Sequence, residues 1–235
     1  MNDLENVSLP ESAEDAINAL RENVVEGRTE EMAAYHKVDR SYLGVPNPVL
    51  NDLATAWRRG LPFDSRVALA RDLWASDIFE ARVTAAKLLT QARIKDDGEV
   101  WDLIVSWVPE FVSWAIADHV ASAGGRRLTA HPERLDEVEG WTTSDHMWTR
   151  RAAFVFTLPF GKSRHPSETE IAARERVLGW AVHLASDPEW FVQKAIAWWL
   201  RDLSRHAPGR VHDWLAEHGD ALKPFARKEA ARHLP

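Results

Sequence analysis

Trp114 and Asp118 stand four residues apart, the spacing that makes two side chains neighbours on one face of a helix. In 109–123, PEFVSWAIADHVASA, Val112, Ile116, Val120 and Ala123 gather on one side at about 100° per residue, and that stripe is expected to face the core. The Trp114–Asp118 pair points away from it. A ring face attracts positive charge and a carboxylate stabilises it, so such a pair can hold a cationic centre. Trp114 can equally pack against a neighbouring helix while Asp118 is solvated, and the helical wheel leaves both readings open.

Two further helices carry residues outside their core stripes. In 189–205, EWFVQKAIAWWLRDLSR, the stripe is Val192, Ile196, Trp199 and Leu203. Trp198 falls outside it, close to Phe191 and flanked by Lys194 and Arg201. Trp199 therefore reads as structural and Trp198 as displayed, unless the helix is buried on two sides. In 145–158, DHMWTRRAAFVFTL, one apolar side holds Trp148, Ala152, Val155 and Phe156, and another holds Met147, Phe154 and Leu158. Arg150 is expected in a polar sector with Thr157. Arg151 falls between the two apolar groups, where a guanidinium needs either a buried carboxylate or a phosphate.

The elements that must position these residues are helices throughout. Apolar residues recur at three- and four-residue spacing, with no run of strict alternation. Helices are expected at about 11–26, 29–38, 47–59, 64–75, 77–93, 97–107, 109–123, 132–138, 145–158, 167–186, 189–205, 208–217 and 220–233. Gly44-Val45-Pro46-Asn47-Pro48 reads as a loop, Gly60-Leu61-Pro62 as a stop and Gly124-Gly125 as a helix end. Phe160-Gly161-Lys162-Ser163-Arg164-His165-Pro166 reads as an exposed connection, Asp187 as the N-cap before Pro188, and Ser144 as sitting before another start. Stacked helix pairs at a period of about 35–45 residues suggest an all-α, HEAT-like helical-repeat superhelix, or solenoid, with a concave binding face. A compact bundle is the rival architecture. One domain over 1–235 is expected, with 1–10 as a flexible tail.

Composition narrows the function classes. The chain has no cysteine, so it holds no disulfide framework and no thiolate metal site. Its acidic N-terminus lacks a signal peptide's pattern, and no apolar run is long enough to span a membrane, so the cytosol or its nucleoid is the expected location. The net charge of −7 disfavours nucleic acid, but acids outnumber bases strongly within residues 1–31, while later segments are richer in Arg and Lys. Twelve tryptophans against two tyrosines are mostly packing residues, with a few left over for another role. The ten histidines show no His-Glu-x-x-His pattern, so no metal or other cofactor is expected. Gly124-Gly125-Arg126-Arg127 lacks the Lys-Ser/Thr pair of a phosphate loop and reads as a helix stop with a basic loop.

These stretches, in this order, resemble the AlkD-type DNA glycosylases of the DNA alkylation repair family, which are HEAT-like solenoids. Ala33-Ala34-Tyr35-His36-Lys37 followed by Tyr42-Leu43-Gly44-Val45-Pro46 resembles the family's tyrosine-bearing helix and entry loop. Trp114 to Asp118 is similar to its Trp-x-x-x-Asp, Trp148 to Arg151 to its Trp-x-x-Arg, and Phe191 to Arg201 to its most recognisable stretch. Val38-Asp39-Arg40-Ser41 departs from it, lacking the Asn/Gln and Phe the family often carries there.

The resemblance implies excision of cationic N3- and N7-alkylated purines from duplex DNA, without extrusion of the base into a pocket. It assigns Asp118 to electrostatic stabilisation and water positioning, and Trp114 and Trp198 to flanking the deoxyribose. Arg151 is assigned to a backbone phosphate, with Arg150 as the alternative one register away. Tyr35 is assigned to DNA near the lesion, and Lys194 and Arg201 to further phosphates. A monomer acting on alkylated duplex DNA is expected. The competing reading is a non-catalytic HEAT-like scaffold that grips DNA or protein.

Overall fold

The computed structural model describes residues 7–234, and they form an all-α helical-repeat protein. Among the described residues the nearest thing to a strand is one isolated bridge, Ser41 to Ile78. The chain packs as two compact units, one made of residues up to Trp107 with Phe111–Ala123, the other of Val108–Glu110 with Gly124 onwards. The N-terminal stretch expected as a tail lies outside the described residues up to position 6. Beyond it, Ser8 accepts a hydrogen bond from Trp57 Nε1 at 3.1 Å and Pro10 is buried. No described helix is long and apolar enough to cross a membrane.

The first unit contains α1 (Ala13–Arg21), α2 (Arg28–His36), α3 (Asn47–Gly60), α4 (Phe63–Ala75), α5 (Phe79–Leu89) and α6 (Gly98–Ser106), and it takes the first turns of α7 (Trp114–Ala130). The Ser12 hydroxyl caps α1 by accepting from the Asp15 N–H at 3.1 Å, satisfying one of the donors a helix start leaves open. α5 packs against α3 and α4, and nearly all of its residues are buried. Trp74 and Trp107 stack at 4.3 Å and 5°, and the Arg82 guanidinium covers the Trp74 ring at 4.4 Å. Asp77, in the left-handed region at φ 57, accepts from Arg82 at 3.1 Å and from Arg40, which fixes the turn between α4 and α5.

The second unit contains α8 (Leu135–Trp141), α9 (Met147–Phe156), α10 (Leu158–Lys162), α11 (Glu168–Leu184), α12 (Trp190–Ser204), α13 (Pro208–His218) and α14 (Pro224–Ala230). α12 is its centre, touching α9, α10, α11, α13 and α14. Val192, Ile196, Trp199 and Leu203 are each 1% exposed or less, and Trp199 Nε1 donates to Thr157 O at 3.3 Å. α11 opens on a capping box: Glu170 N–H donates to Ser167 Oγ at 3.2 Å, and Ser167 N–H to Glu170 Oε2 at 2.8 Å.

Several sequence expectations are corrected. Gly124 and Gly125 do not end a helix; α7 runs through both to Ala130. A Cβ on Gly124 would lie 2.2 Å from the Phe156 ring, and one on Gly125 2.9 Å from Phe156 O and from Pro159, so these glycines permit close approach. Arg127, expected in a basic loop, is fully buried within that helix. The expected helix at 109–123 begins only at Trp114, which leaves Val112 out of the core at 47% exposure. The connection at 160–166 is partly helical, with Phe160 buried at the centre of α10. The N-cap of α12 is Glu189, and Asp187 serves it by accepting the Glu189 N–H at 2.8 Å. Thr157, expected in a polar sector, is fully buried and donates to Ala153 O and Phe154 O.

Candidate nucleic-acid interface

In the first unit, the opening turns of α7 present Trp114 and Asp118 half-buried, while Ala115, Ile116 and Ala117 beside them are buried. Tyr35, in the last turn of α2, is 69% exposed and sets its ring edge-on to Trp114 at 5.9 Å and 85°. Tyr35 and Trp114 are therefore neighbours on one surface, and Asp118 follows one turn further along α7. Behind them lies a cavity of about 510 Å³ bordered by Tyr35, His36, Phe79, Trp114 and His119, among others.

Three residues here escaped the sequence reading. His36 stacks on Phe79 at 4.6 Å and on Tyr42 at 5.9 Å, with Trp114 at 5.7 Å. Its Nδ1 is buried without a hydrogen-bond partner, and burial lowers its pKa while Glu80 pulls the other way. His119 is lowered to about 4, by burial first and then by Lys87. Burial thus favours the neutral form of both rings.

Glu80 is fully buried in the first turn of α5. Its carboxylate accepts the N–H groups of Leu43 at 2.9 Å, Gly44 at 2.7 Å and Val45 at 3.2 Å. The loop leading from α2 to α3 thus hangs on one side chain. Gly44 sits at φ +88, and a Cβ there would meet Thr29 Oγ1 at 2.9 Å, so the loop needs glycine twice over. Glu80 is the one acid in FEARVTAAKLL, a stretch that also carries Arg82, Thr84 and Lys87, so nothing local set it apart.

In the second unit, the Trp pair divides as the wheel indicated. Trp199 is 1% exposed, while Trp198 is half-buried and borders a groove of about 530 Å³ with Trp190, Lys194, Arg201, Phe225 and Glu229. Lys162 Nζ lies 5.5 Å over the Trp198 ring, and Lys194 Nζ 4.8 Å over Trp190. Arg201 donates to Glu229 and lies 3.4 Å from Asp202.

The two α9 arginines differ. Arg150 donates to Asp187 at 2.8 Å and to the carbonyls of Ser144 and Asp145, so it ties α9 to the turn before α12. The polar sector expected around Arg150 is thus supplied by Asp187 and these two carbonyls, and not by Thr157. Arg151 is 3% exposed and its guanidinium lies 5.8 Å from the Trp148 ring centre. Trp148 in turn packs on Phe191 at 4.7 Å.

A search of curated proteins finds no match. Among solved structures, a predicted DNA alkylation repair enzyme from Enterococcus faecalis is similar at 21% identity and a TM-score of 0.75, covering 90% of this chain and 97% of that one. AlkD2 from Streptococcus mutans is similar at 17% identity and a TM-score of 0.64, covering 95% and 99%. At such identities these likenesses show a shared fold. The family described as DNA alkylation repair enzyme matches residues 16–234, nearly the whole chain, and the protein belongs to that family.

Proposed function

We propose that this protein is a DNA glycosylase that hydrolyses the N-glycosidic bond of N3- and N7-alkylated purines in duplex DNA, without drawing the base into a pocket. The carrying observation is the half-buried Trp114–Asp118 pair one turn apart on α7, with Tyr35 edge-on to the tryptophan. Alkylation leaves the purine cationic, so the C1′–N9 bond breaks with its electron pair going to the base. Positive charge then collects on the sugar. In this reading Trp114 faces the deoxyribose, Asp118 stabilises the developing charge, and water adds to C1′ and gives its proton to solvent or to Asp118, while Trp198 is the second unit's aromatic contact to the DNA. Neutral His36 and His119 suit that chemistry, because neither places a cation near the charge that develops.

In this reading Lys194 contacts backbone phosphate directly, and Arg201 does so only by leaving Glu229. Arg151, buried beside Trp148, acts on the strand through the ring it supports or through a phosphate that reaches into its site. Arg150 serves the fold through Asp187.

The competing reading is a scaffold that grips DNA or protein without chemistry. The carboxylate pairing of Arg150 and Arg201 removes two of the expected phosphate contacts, which within that reading favours a protein partner. Incubation with duplex DNA containing 7-methylguanine separates the two. Release of free base that Asp118→Asn abolishes supports the glycosylase. Tight binding without release, or release indifferent to Asp118, sinks the mechanism.

A further inference from the structure

Arg66, in the first turn of α4, is 5% exposed. Its Nη1 donates to Arg58 O at 3.0 Å and its guanidinium lies 5.2 Å from the Phe63 ring centre. Its Nε is buried with no acceptor. Burial and the like charge of Arg58 both depress its pKa, and no carboxylate opposes them. Capping the end of α3 accounts for Nη1. It does not account for a buried cation with an idle donor and no counter-charge, an arrangement that costs free energy until an anion supplies one.

The surroundings supply the rest of a site. Arg66 borders a cavity of about 770 Å³ between the end of α3, the start of α4 and the 90–97 loop. Arg58 also borders it, with Nη1 anchored to Lys87 O at 3.3 Å and Thr90 O at 3.0 Å. Arg93 and Lys95 stand exposed on the loop at its edge. Glu99, one of three carboxylates in the lining, is already taken by Arg71 at 2.9 Å. α4 begins at Phe63 with Pro62 as an N-cap that offers no side-chain acceptor, so its first-turn N–H groups need acceptors from outside the helix.

We propose that this cavity is an oxyanion site that takes a phosphate group, with Arg66 and Arg58 as its fixed cations and Arg93 and Lys95 closing from the loop. The phosphate is either a free ion or part of a nucleic-acid backbone. The proposal stands apart from the glycosylase reading, since none of its residues belongs to that machinery.

Thermal unfolding of the full chain in sodium phosphate and in sodium chloride at matched ionic strength tests it. The wild type is expected to gain about 3 °C or more in Tm when phosphate exceeds its Kd about tenfold. The surface double variant Arg93→Ala/Lys95→Ala keeps the wild-type Tm in chloride and loses most of the gain; Arg66→Gln loses all of it. Should Arg66→Gln fail to fold, the double variant still decides. A second arm measures duplex affinity against salt. A slope lowered by about 1 in the double variant assigns the site to backbone phosphate. An unchanged slope with the phosphate-specific gain assigns it to free phosphate. Equal Tm in both salts together with an unchanged slope overturns the proposal.

Discussion

The two regions that carry the expected functional residues are built on opposite electrostatic plans. Around Trp114, rings meet rings: Tyr35, His36 and Phe79 crowd the indole's neighbourhood, and both histidines there are neutral. Around Trp198, rings meet cations, with Lys162 over Trp198 and Lys194 over Trp190. A surface of the first kind suits a centre whose positive charge arises during reaction. One of the second kind suits an anion that is present throughout. A protein handling a cationic lesion on a polyanionic strand has use for both.

The sharpest way to break this comparison is to exchange which tryptophan is removed. Trp199→Ala is expected to cost about 3–5 kcal/mol of stability, as large aromatic truncations in cores do. Trp198→Ala is expected to cost about 1 kcal/mol or less while lowering base release. Denaturant unfolding checks both, and equal losses would dissolve the distinction between displayed and structural rings.

Asp118→Asn comes next. It is expected to slow release of 7-methylguanine by about 10²–10³-fold, the scale of removing one group aimed at developing charge. Its unfolding midpoint should stay close to that of the wild type. A single-turnover assay beside a melting curve reads both quantities.

His119 tests the neutral character of the first region. Its folded pKa, about 4, is below the unfolded value of 6.5, so the unfolded chain binds the extra proton first as pH falls. Its contribution is intact above pH 6.5 and is lost progressively down to pH 4, to a total of roughly 3 kcal/mol. His119→Leu should flatten that part of the stability profile. A profile of unchanged steepness would mean that His119 takes up its proton as readily in the folded chain as in the unfolded one.

Smaller effects follow at the packing and charge level. Gly124→Ala is expected to cost about 1–3 kcal/mol through overpacking against Phe156, measured by thermal melting. Lys194→Ala is expected to weaken duplex binding uniformly across sequences and to lower the salt slope by about 1, without altering stability. A loss confined to lesion-containing DNA would move Lys194 from holding the strand to serving the reaction.

Legibility in the sequence followed the range of the interactions involved. The Trp198–Trp199 division was readable because it depends only on angle within one helix, and the core stripe of α12 followed from the same geometry. Gly124-Gly125 was misread because local propensity favours a stop, whereas packing against Phe156 and Pro159, more than thirty positions away, keeps the helix intact. Val112 was misplaced for a related reason: a periodic pattern does not show where a helix begins. Glu80, His36 and His119 were invisible because their roles come from partners distant in the sequence, a loop for Glu80 and other helices for the two histidines. Trp114, Asp118 and Tyr35 could be grouped only through family resemblance, since periodicity alone left the pair on α7 undecided.

The carboxylate of Glu80 has a consequence for the clock of local opening. Three consecutive amides, Leu43, Gly44 and Val45, depend on one acceptor some 35 positions further along the chain. In deuterated buffer they should exchange together and slowly, at a rate set by α5 coming away and not by the loop's own fluctuations. A segment that looks like an ordinary connection is in this respect as durable as the helix that holds it.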